Sequence, residues 1–371
     1  MDWIVIFFFL LWYLMVIALI IGWSRSVKKI TNHRVQAHTF PVSVVVPVRN
    51  EEKNLSAILN DLLRQTLKPQ EIIVADDHST DRSVLTARQF QATYPQIKLV
   101  SLPHHSAGKK AALQRAIEQS SGELIVTTDA DCTMQEQWLE NLTQHFHHPS
   151  IKMVAGPVLF SGQGFFSQLL NVEQLVLQSV ASASFYAGYP LFCSGANLAF
   201  RKQTFQEVSG YEGNVHVASG DDVFLMKKIK DLYPDGVHFC ASPRCTVTSQ
   251  LPESFSMILA QRIRWAGKWR ALGRGVQLVA GFVFLFHLFI ILLPLLAMNW
   301  LIALPVLLIL VGLKWLLEGI LVNRVARHLQ VQLPMGYFIL AQLVYPVYVL
   351  AVGILSFRKK TFWKGRTIST R

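Results

Sequence analysis

The sequence predicts an α/β domain on a mainly parallel sheet with flanking helices, bearing transmembrane helices at both ends. Three observations point there. Hydrophobic residues make up 51% of the 371 and charged residues only 16%, too apolar for a wholly soluble chain. The apolar content is concentrated in uncharged runs at residues 3–23, 276–313 and 334–357, and roughly 20 such residues in a helix cross a bilayer's hydrocarbon. Between them, β-branched runs alternate with polar stretches of helical period, the rhythm of parallel strands joined by crossover helices.

The first run reads as a retained anchor, residues 1–24. No basic residue precedes it and it is long for a signal peptide. Arg25, Lys28, Lys29 and Arg34 follow in a basic linker, residues 25–40. The positive-inside rule then places the soluble part, residues 41–252, in the cytoplasm of a membrane protein, an inner or plasma membrane of a bacterium being the expectation. "VSVVVPV" is the first strand. "NEEKNLSAILNDLLRQ" follows, with Leu55, Ile58, Leu59, Leu62 and Leu63 at helical spacing. Then come the strand "EIIVADD", a helix-like stretch, "IKLVSLP", a helix near 109–119, and the strand "ELIVTTDADC". Two strand ends carry acids, Asp76 with Asp77 and Asp129 with Asp131, and such sheets bind ligands at those ends.

A helical stretch at 165–186 carries Ala181, Ser182, Ala183 and Ser184, small enough for close core packing. Residues 253–274 mix Phe255, Ile258, Leu259, Ile263 and Trp269 with arginines, which suits a helix lying in the membrane interface. Residues 275–357 would supply about three further spans. Three spans would put the basic tail, residues 358–371, on the wrong side. Either Pro346 breaks the last run into a re-entrant hairpin, or the charge preference is overridden. The net charge of +12 suits a collar on anionic membrane lipids, and no nucleic-acid partner is expected. The four cysteines read as reduced thiols, Cys240 and Cys245 lacking a second pair for zinc. The histidines of "HFHH" read as surface residues.

In an extended segment Asp129 and Asp131 point to one side, so both can address one hard cation shared with a phosphate, Mg2+ or Mn2+. A lone pair of this kind serves equally as turn or cap residues. The wider set is more specific. "VVVPVRNEE", "VADDHSTD", "GKKAAL", "DAD", "GANLAF", "SGDD" and "QRIRW" occur in this order, and over residues 41–269 the chain resembles the family 2 glycosyltransferases of the GT-A fold. The last motif resembles that of membrane-embedded members such as cellulose, chitin and hyaluronan synthases and ceramide glucosyltransferases.

The resemblance implies roles by position. Pro47 and Glu51 belong to the loop that wraps the nucleoside, with Glu51 near the ribose, and Asp76 or Asp77 would bond the base. Asp77, Ser79 or Asp81 could instead cap the following helix. Lys109 would lie near the nucleotide; Lys110 stands where a small residue is common, and Gln114 replaces a frequent asparagine. Asp129 and Asp131 would hold the metal and diphosphate. Asp222 would be the catalytic base, and Asp221 sits where glutamate is common. A helix cap by Ser219 or Asp221 explains the same letters. Gly195 and Asn197 would shape the acceptor side, although a plain turn fits them as well. Gln261, Arg264 and Trp265 share one helix face: Arg264 would meet diphosphate oxygens and Trp265 would wall a sugar ring, unless the motif is an interfacial belt. Arg262 is left to headgroups or solvent.

The expectation is an inverting glycosyltransferase moving a sugar from a nucleotide-sugar donor, UDP-linked first among candidates, to a lipid or glycan acceptor. A processive polysaccharide synthase is the alternative, for which so few spans look sparse. A scaffold with a degenerate nucleotide-binding domain would be expected to lose Asp222, and a nucleotidyltransferase gives no reason for Asp222 or Trp265.

Overall fold

The structure is a computed structural model that describes residues 2–30, 40–162, 164–213, 220–252, 254–268, 273–298, 303–357, 360–363 and 366–369. Arg34, Ser219 and Trp269, named above, lie outside the described residues.

From the N-terminus, α1 (Asp2–Ile30) leads into β1 (Val42–Val48), α2 (Leu55–Arg64), β2 (Glu71–Asp76), α3 (Ser83–Thr93), β3 (Ile97–Ser101), α4 (Lys109–Gln119) and β4 (Leu124–Thr127). The chain continues through β5 (Cys132–Met134), α5 (Trp138–Thr143), β6 (Met153–Ala155), β7 (Val158–Phe160), α6 (Phe165–Tyr186), β8 (Leu198–Arg201) and α7 (Lys202–Glu207). Then come α8 (Asp221–Leu232), β9 (Val237–Phe239), β10 (Val247–Ser249) and α9 (Phe255–Gly267). The strands and helices expected between residues 42 and 127 are present.

The main sheet has seven strands in the order β3-β2-β1-β4-β8-β6-β9. β1 pairs in parallel with both β2 and β4, while β8 runs antiparallel to its neighbours. Order reverses at β1, so the crevice beyond its carboxyl end lies between the acid-tipped β2 and β4. A second sheet of three strands, β5-β10-β7, begins directly after the second acid pair. Both faces of the main sheet are covered, which is why its strands read as continuous apolar runs. On one face Val42, Val44, Val46, Ile72 and Val74 meet Leu55, Ile58, Leu59 and Leu62 of α2. On the other, Val45, Ile73 and Ile125 pack with Ala112, Ala116 and Ile117 of α4 in a core that continues to Val5, Phe9, Phe286 and Leu321 of the apolar helices.

Four helices are long and apolar enough to cross a membrane: α1, α10 (Arg274–Met298), α11 (Leu304–His328) and α12 (Met335–Leu355). α6 joins them to the sheet. At Gly22 of α1 an added Cβ would lie 2.6 Å from Ala183 Cβ, so the small residues of α6 set a close crossing. The hairpin expected at Pro346 is absent: α12 runs through the proline as one helix, since neighbouring helices can tolerate the lost bond. Instead α12 runs alongside α6, with Tyr337 near Phe165 and Tyr348 bonded to Glu173. β11 (Lys360–Trp363), paired with β12 (Arg366–Ser369), then lies beside α9.

Two further expectations are corrected. Cys240 and Cys245 are joined in a disulfide, while Cys132 and Cys193 are buried thiols; the five-residue separation let the short helix between them close the loop. His145 is buried, its ring 4.8 Å from that of His238, because the helical turn 144–147 presses it against β9.

Candidate active site

The loops after β1 and β2 are stitched into one wall. Asn50 and His78 both have left-handed backbone, with φ of 53° and 54°. Asn50 Oδ1 accepts the Thr80 N–H at 2.8 Å, and Ser83 Oγ accepts the Glu51 N–H at 2.8 Å. Arg49, which sequence reasoning passed over, donates to the carbonyls of Asp77 and His78 at 2.6 and 3.3 Å. Pro47 is half-buried in β1, and Asp76 and Asp77 are both buried at the wall's base. Asp76 Oδ1 accepts the Ser79 N–H at 3.2 Å. The Glu51 carboxylate accepts from Asn54 Nδ2 at 2.8 Å. Asp81 has the helix-start role weighed above, accepting the Ser83 N–H at 3.0 Å.

Facing this wall, a cluster of charges gathers around Lys109. Gly108, at φ 104°, turns the chain into α4 so that Lys109 occupies its first turn. The ammonium lies 2.6 Å from Asp129 Oδ1, beyond β4, and 3.6 Å from Asp221 Oδ2, at the start of α8. Burial alone would lower the Lys109 pKa; Asp129 and Asp221 override it and hold the side chain charged. Burial would likewise raise the Asp221 pKa, but Lys109 and Lys268 keep it below the usual carboxylate range.

α8 starts from Gly220 in left-handed backbone, φ 82°, and both its acids lie in the first turn, where the helix dipole favours negative charge. Asp222 Oδ2 accepts the Gly195 N–H at 3.1 Å, and Oδ1 accepts the Val223 N–H at 2.7 Å. Lys268 Nζ lies 3.4 Å from Oδ1. A Cβ on Gly195 would sit 2.9 Å from Asp221 Oδ2, so glycine here lets the backbone reach the acids. Lys110 is buried over the Phe224 ring at 5.1 Å. Burial pulls its pKa down to about 8 against the pull of Asp221 and Asp222, with Lys268 adding repulsion.

Asn197 is placed differently from the sequence expectation. It has no exposure, donates to the carbonyls of Pro157 and Cys245 at 2.7 Å each, and accepts from Trp138 Nε1 at 3.0 Å. Its amide is a structural rivet and cannot touch an acceptor.

α9 is capped by Ser254 Oγ, which accepts the Met257 N–H at 3.3 Å. Arg264 is half-buried; burial lowers its pKa, with Asp221, Asp129 and Asp222 pulling the other way, so its charge faces the acid cluster. Gln261 Oε1 accepts from Arg262 at 3.2 Å. The assignment of Arg262 to headgroups or solvent is wrong. It is 4% exposed, paired with Glu173 of α6 at 2.8 Å, and its guanidinium lies 4.4 Å from the Trp265 ring centre. Lys268 was missed as well, although it follows Arg264 by one helical turn, a spacing that puts both on one face.

Asp131 meets Ser249 Oγ of β10 at 3.4 Å and Cys132 Sγ at 3.6 Å. Among the described residues no group of three or more histidine, cysteine or acidic side chains is arranged to hold a metal ion. The donor set still suits a hard cation shared with a ligand: Asp129 already has a cation, the Lys109 ammonium, against its oxygen, and phosphate oxygens would complete the coordination.

Comparison with known proteins agrees with this architecture. The model of glycosyl transferase family 2 matches residues 43–209. Glycosyltransferase AglE of Haloferax volcanii is 28% identical over 201 residues, 51% of this chain and 61% of that protein. An undecaprenyl-phosphate 4-deoxy-4-formamido-L-arabinose transferase of Pectobacterium carotovorum is 33% identical over 108 residues, 28% of this chain and 33% of its own length. The chain thus spans less than two thirds of either relative. A mannosyltransferase from Pyrobaculum calidifontis, solved in complex with GDP-Man and Mn2+, superposes with a TM-score of 0.58 at 19% identity, covering 94% of this chain and 97% of that one. That likeness is one of fold.

Proposed function

We propose, from the match of residues 43–209 to the glycosyl transferase family 2 model, that the protein transfers a sugar from a nucleotide-sugar donor to a lipid or lipid-linked hydroxyl at the membrane surface. The observation that carries this reading is the convergence of Lys109, Asp129, Asp221 and Asp222 beside α9 and the apolar helices. UDP-linked sugars are the first donors to test. The GDP-mannose bound by the fold neighbour adds a second class. The relative that acts on undecaprenyl phosphate makes a lipid-linked acceptor the natural choice. The membrane is proposed to be a bacterial inner membrane with the catalytic domain on its cytoplasmic face.

In this reading Asp76, Asp77 and Glu51 hold the nucleoside, with Pro47 supporting the wall. Lys109 and Arg264 face the diphosphate as fixed positive charges. Asp129 and Asp131 would hold a divalent ion, Mg2+ or Mn2+, whose charge offsets that of the departing diphosphate. Gly195, Asp221, Gln261 and Trp265 line the acceptor side. Asp222 takes the acceptor proton: its Oδ2 accepts the Gly195 N–H, and a carboxylate oxygen keeps a second lone pair for the incoming hydroxyl. The acceptor oxygen bonds to the anomeric carbon as the carbon–phosphate oxygen bond breaks. A single displacement inverts that carbon, so an α-linked donor gives a β-glycoside.

Detergent-solubilised protein offered a panel of UDP- and GDP-sugars with Mg2+ or Mn2+ should hydrolyse one of them, and should transfer its sugar once when a lipid acceptor is added. A ladder of polymer products would replace single transfer by processive synthesis. Folded protein that binds and turns over no nucleotide sugar would refute the reading.

A further inference from the structure

The pair formed by Arg262 and Glu173 lies on the far side of α9 from the acid cluster. Arg262 and Arg264 are two residues apart, about 200° around a helix: Arg264 senses Asp221, Asp129 and Asp222, while Arg262 points into the helical packing. Glu173 Oε2 accepts from Arg262 Nε at 3.0 Å and lies 2.8 Å from Nη2. Its other oxygen, Oε1, accepts from the hydroxyl of Tyr348 at 3.3 Å. One carboxylate thus joins three helices: α6, α9 and α12. The Arg262 guanidinium also lies over the rings of Phe160 and Trp265, at 5.2 and 4.4 Å. Both charged side chains are almost wholly out of water, at 4% and 10% exposure.

A buried ion pair is a costly way to join helices, since desolvation offsets most of the attraction and apolar side chains would stabilise as well. What it supplies is orientation. A planar guanidinium that donates through Nε, with Nη2 held against the same carboxylate oxygen, fixes the roll of its helix more sharply than a methylene contact does. α12 is itself held: Gln342 donates to Glu318 Oε2 at 2.7 Å and accepts from Lys314 at 2.7 Å.

We propose that Glu173 is a positioning residue for transfer: by gripping Arg262 from behind, with Tyr348 as its brace, it sets the roll of α9 at which Arg264 faces the donor. This rests on the glycosyltransferase reading above. The buried bundle thereby acts on turnover through one carboxylate, without touching substrate.

The test compares wild type with Glu173→Gln, Tyr348→Phe and the exchanged pair Glu173→Arg/Arg262→Glu, all solubilised as the full chain. Two quantities are read: affinity for the free nucleoside diphosphate, and kcat and KM with the donor identified by the panel. Glu173→Gln is expected to lower kcat by about tenfold or more while nucleotide affinity stays within about threefold, and Tyr348→Phe to lower kcat by about threefold. The exchanged pair should exceed Glu173→Gln in kcat, a rescue that a substrate-contacting Arg262 would not allow. Folded Glu173→Gln with wild-type kcat overturns the proposal, as does loss of nucleotide affinity at unchanged kcat. If Glu173→Gln does not fold, wild-type kcat in Tyr348→Phe overturns it. Inactive wild type would sink the parent reading and this inference with it, whereas active wild type with indifferent variants sinks this inference alone.

Discussion

Replacing Asn197 by alanine separates a structural amide from an acceptor contact. The amide satisfies the carbonyls of Pro157 and Cys245 and the indole N–H of Trp138, all in a region of no exposure. Each buried polar group left unmatched costs about 1–3 kcal/mol. Three would sum to roughly 3–9 kcal/mol, and a water entering the vacated space could re-pair two of them, leaving one unmatched at about 1–3 kcal/mol. The site is close-packed: a Cβ on Gly156 would lie 2.4 Å from Asn197 Nδ2, so the surrounding chain has little room to relax. Since folded domains are stable by about 5–15 kcal/mol, the loss is a large fraction. Thermal unfolding of the solubilised protein, followed by tryptophan fluorescence, should show a fall in Tm of roughly 2–12 °C. Donor KM in the fraction still folded should be unchanged. A variant with wild-type Tm and weakened acceptor binding would refute the argument and return Asn197 to the acceptor site.

Asp222→Asn should bind the nucleotide as wild type does and lose transfer by about 10²–10⁴-fold; turnover rates with the identified donor check this, and undiminished turnover reassigns the base. Glu71 ties β2 to Ser43, Lys98 and Ser121, and although burial would raise its pKa, those bonds lower it from 4.5 to about 2. A lowered carboxylate pKa stabilises fully above the unfolded value and is lost as pH falls through the folded one. Wild type should therefore lose about 3 kcal/mol between pH 4.5 and pH 2, at about 1.4 kcal/mol per pH unit, and Glu71→Gln should lack this loss in denaturant titrations across that range. Gly22→Val should force α1 from α6 and cost about 1–3 kcal/mol in unfolding assays; the pair Gly22→Ala with Ala183→Gly should recover most of it.

The strands of the first half were legible because both faces of a parallel sheet are buried, so Val42 to Val48 and Glu71 to Asp76 write their position in unbroken apolar runs. The acids were legible because strand ends and a helix start fix where they emerge. What escaped was pairing at a distance. Arg262 and Glu173 are 89 residues apart, and a cation beside a membrane run reads as a headgroup ligand until its partner helix is placed. Asn197 wore a motif's letters while its amide was wholly engaged by Pro157, Cys245 and Trp138, all distant in sequence. Pro346 looked like a break, yet the helices around it let α12 continue. Lys268 alone carried a signal that could have been used, its one-turn offset from Arg264.

One side of the central sheet shares its apolar packing with α1, α10 and α11. Excising the greasy helices to obtain a water-soluble catalytic fragment would strip that side bare, so such truncations should clump during expression. Amphiphile is then a requirement of the fold itself, and any lipid that loosens the helices should be felt at the reaction centre as lost activity.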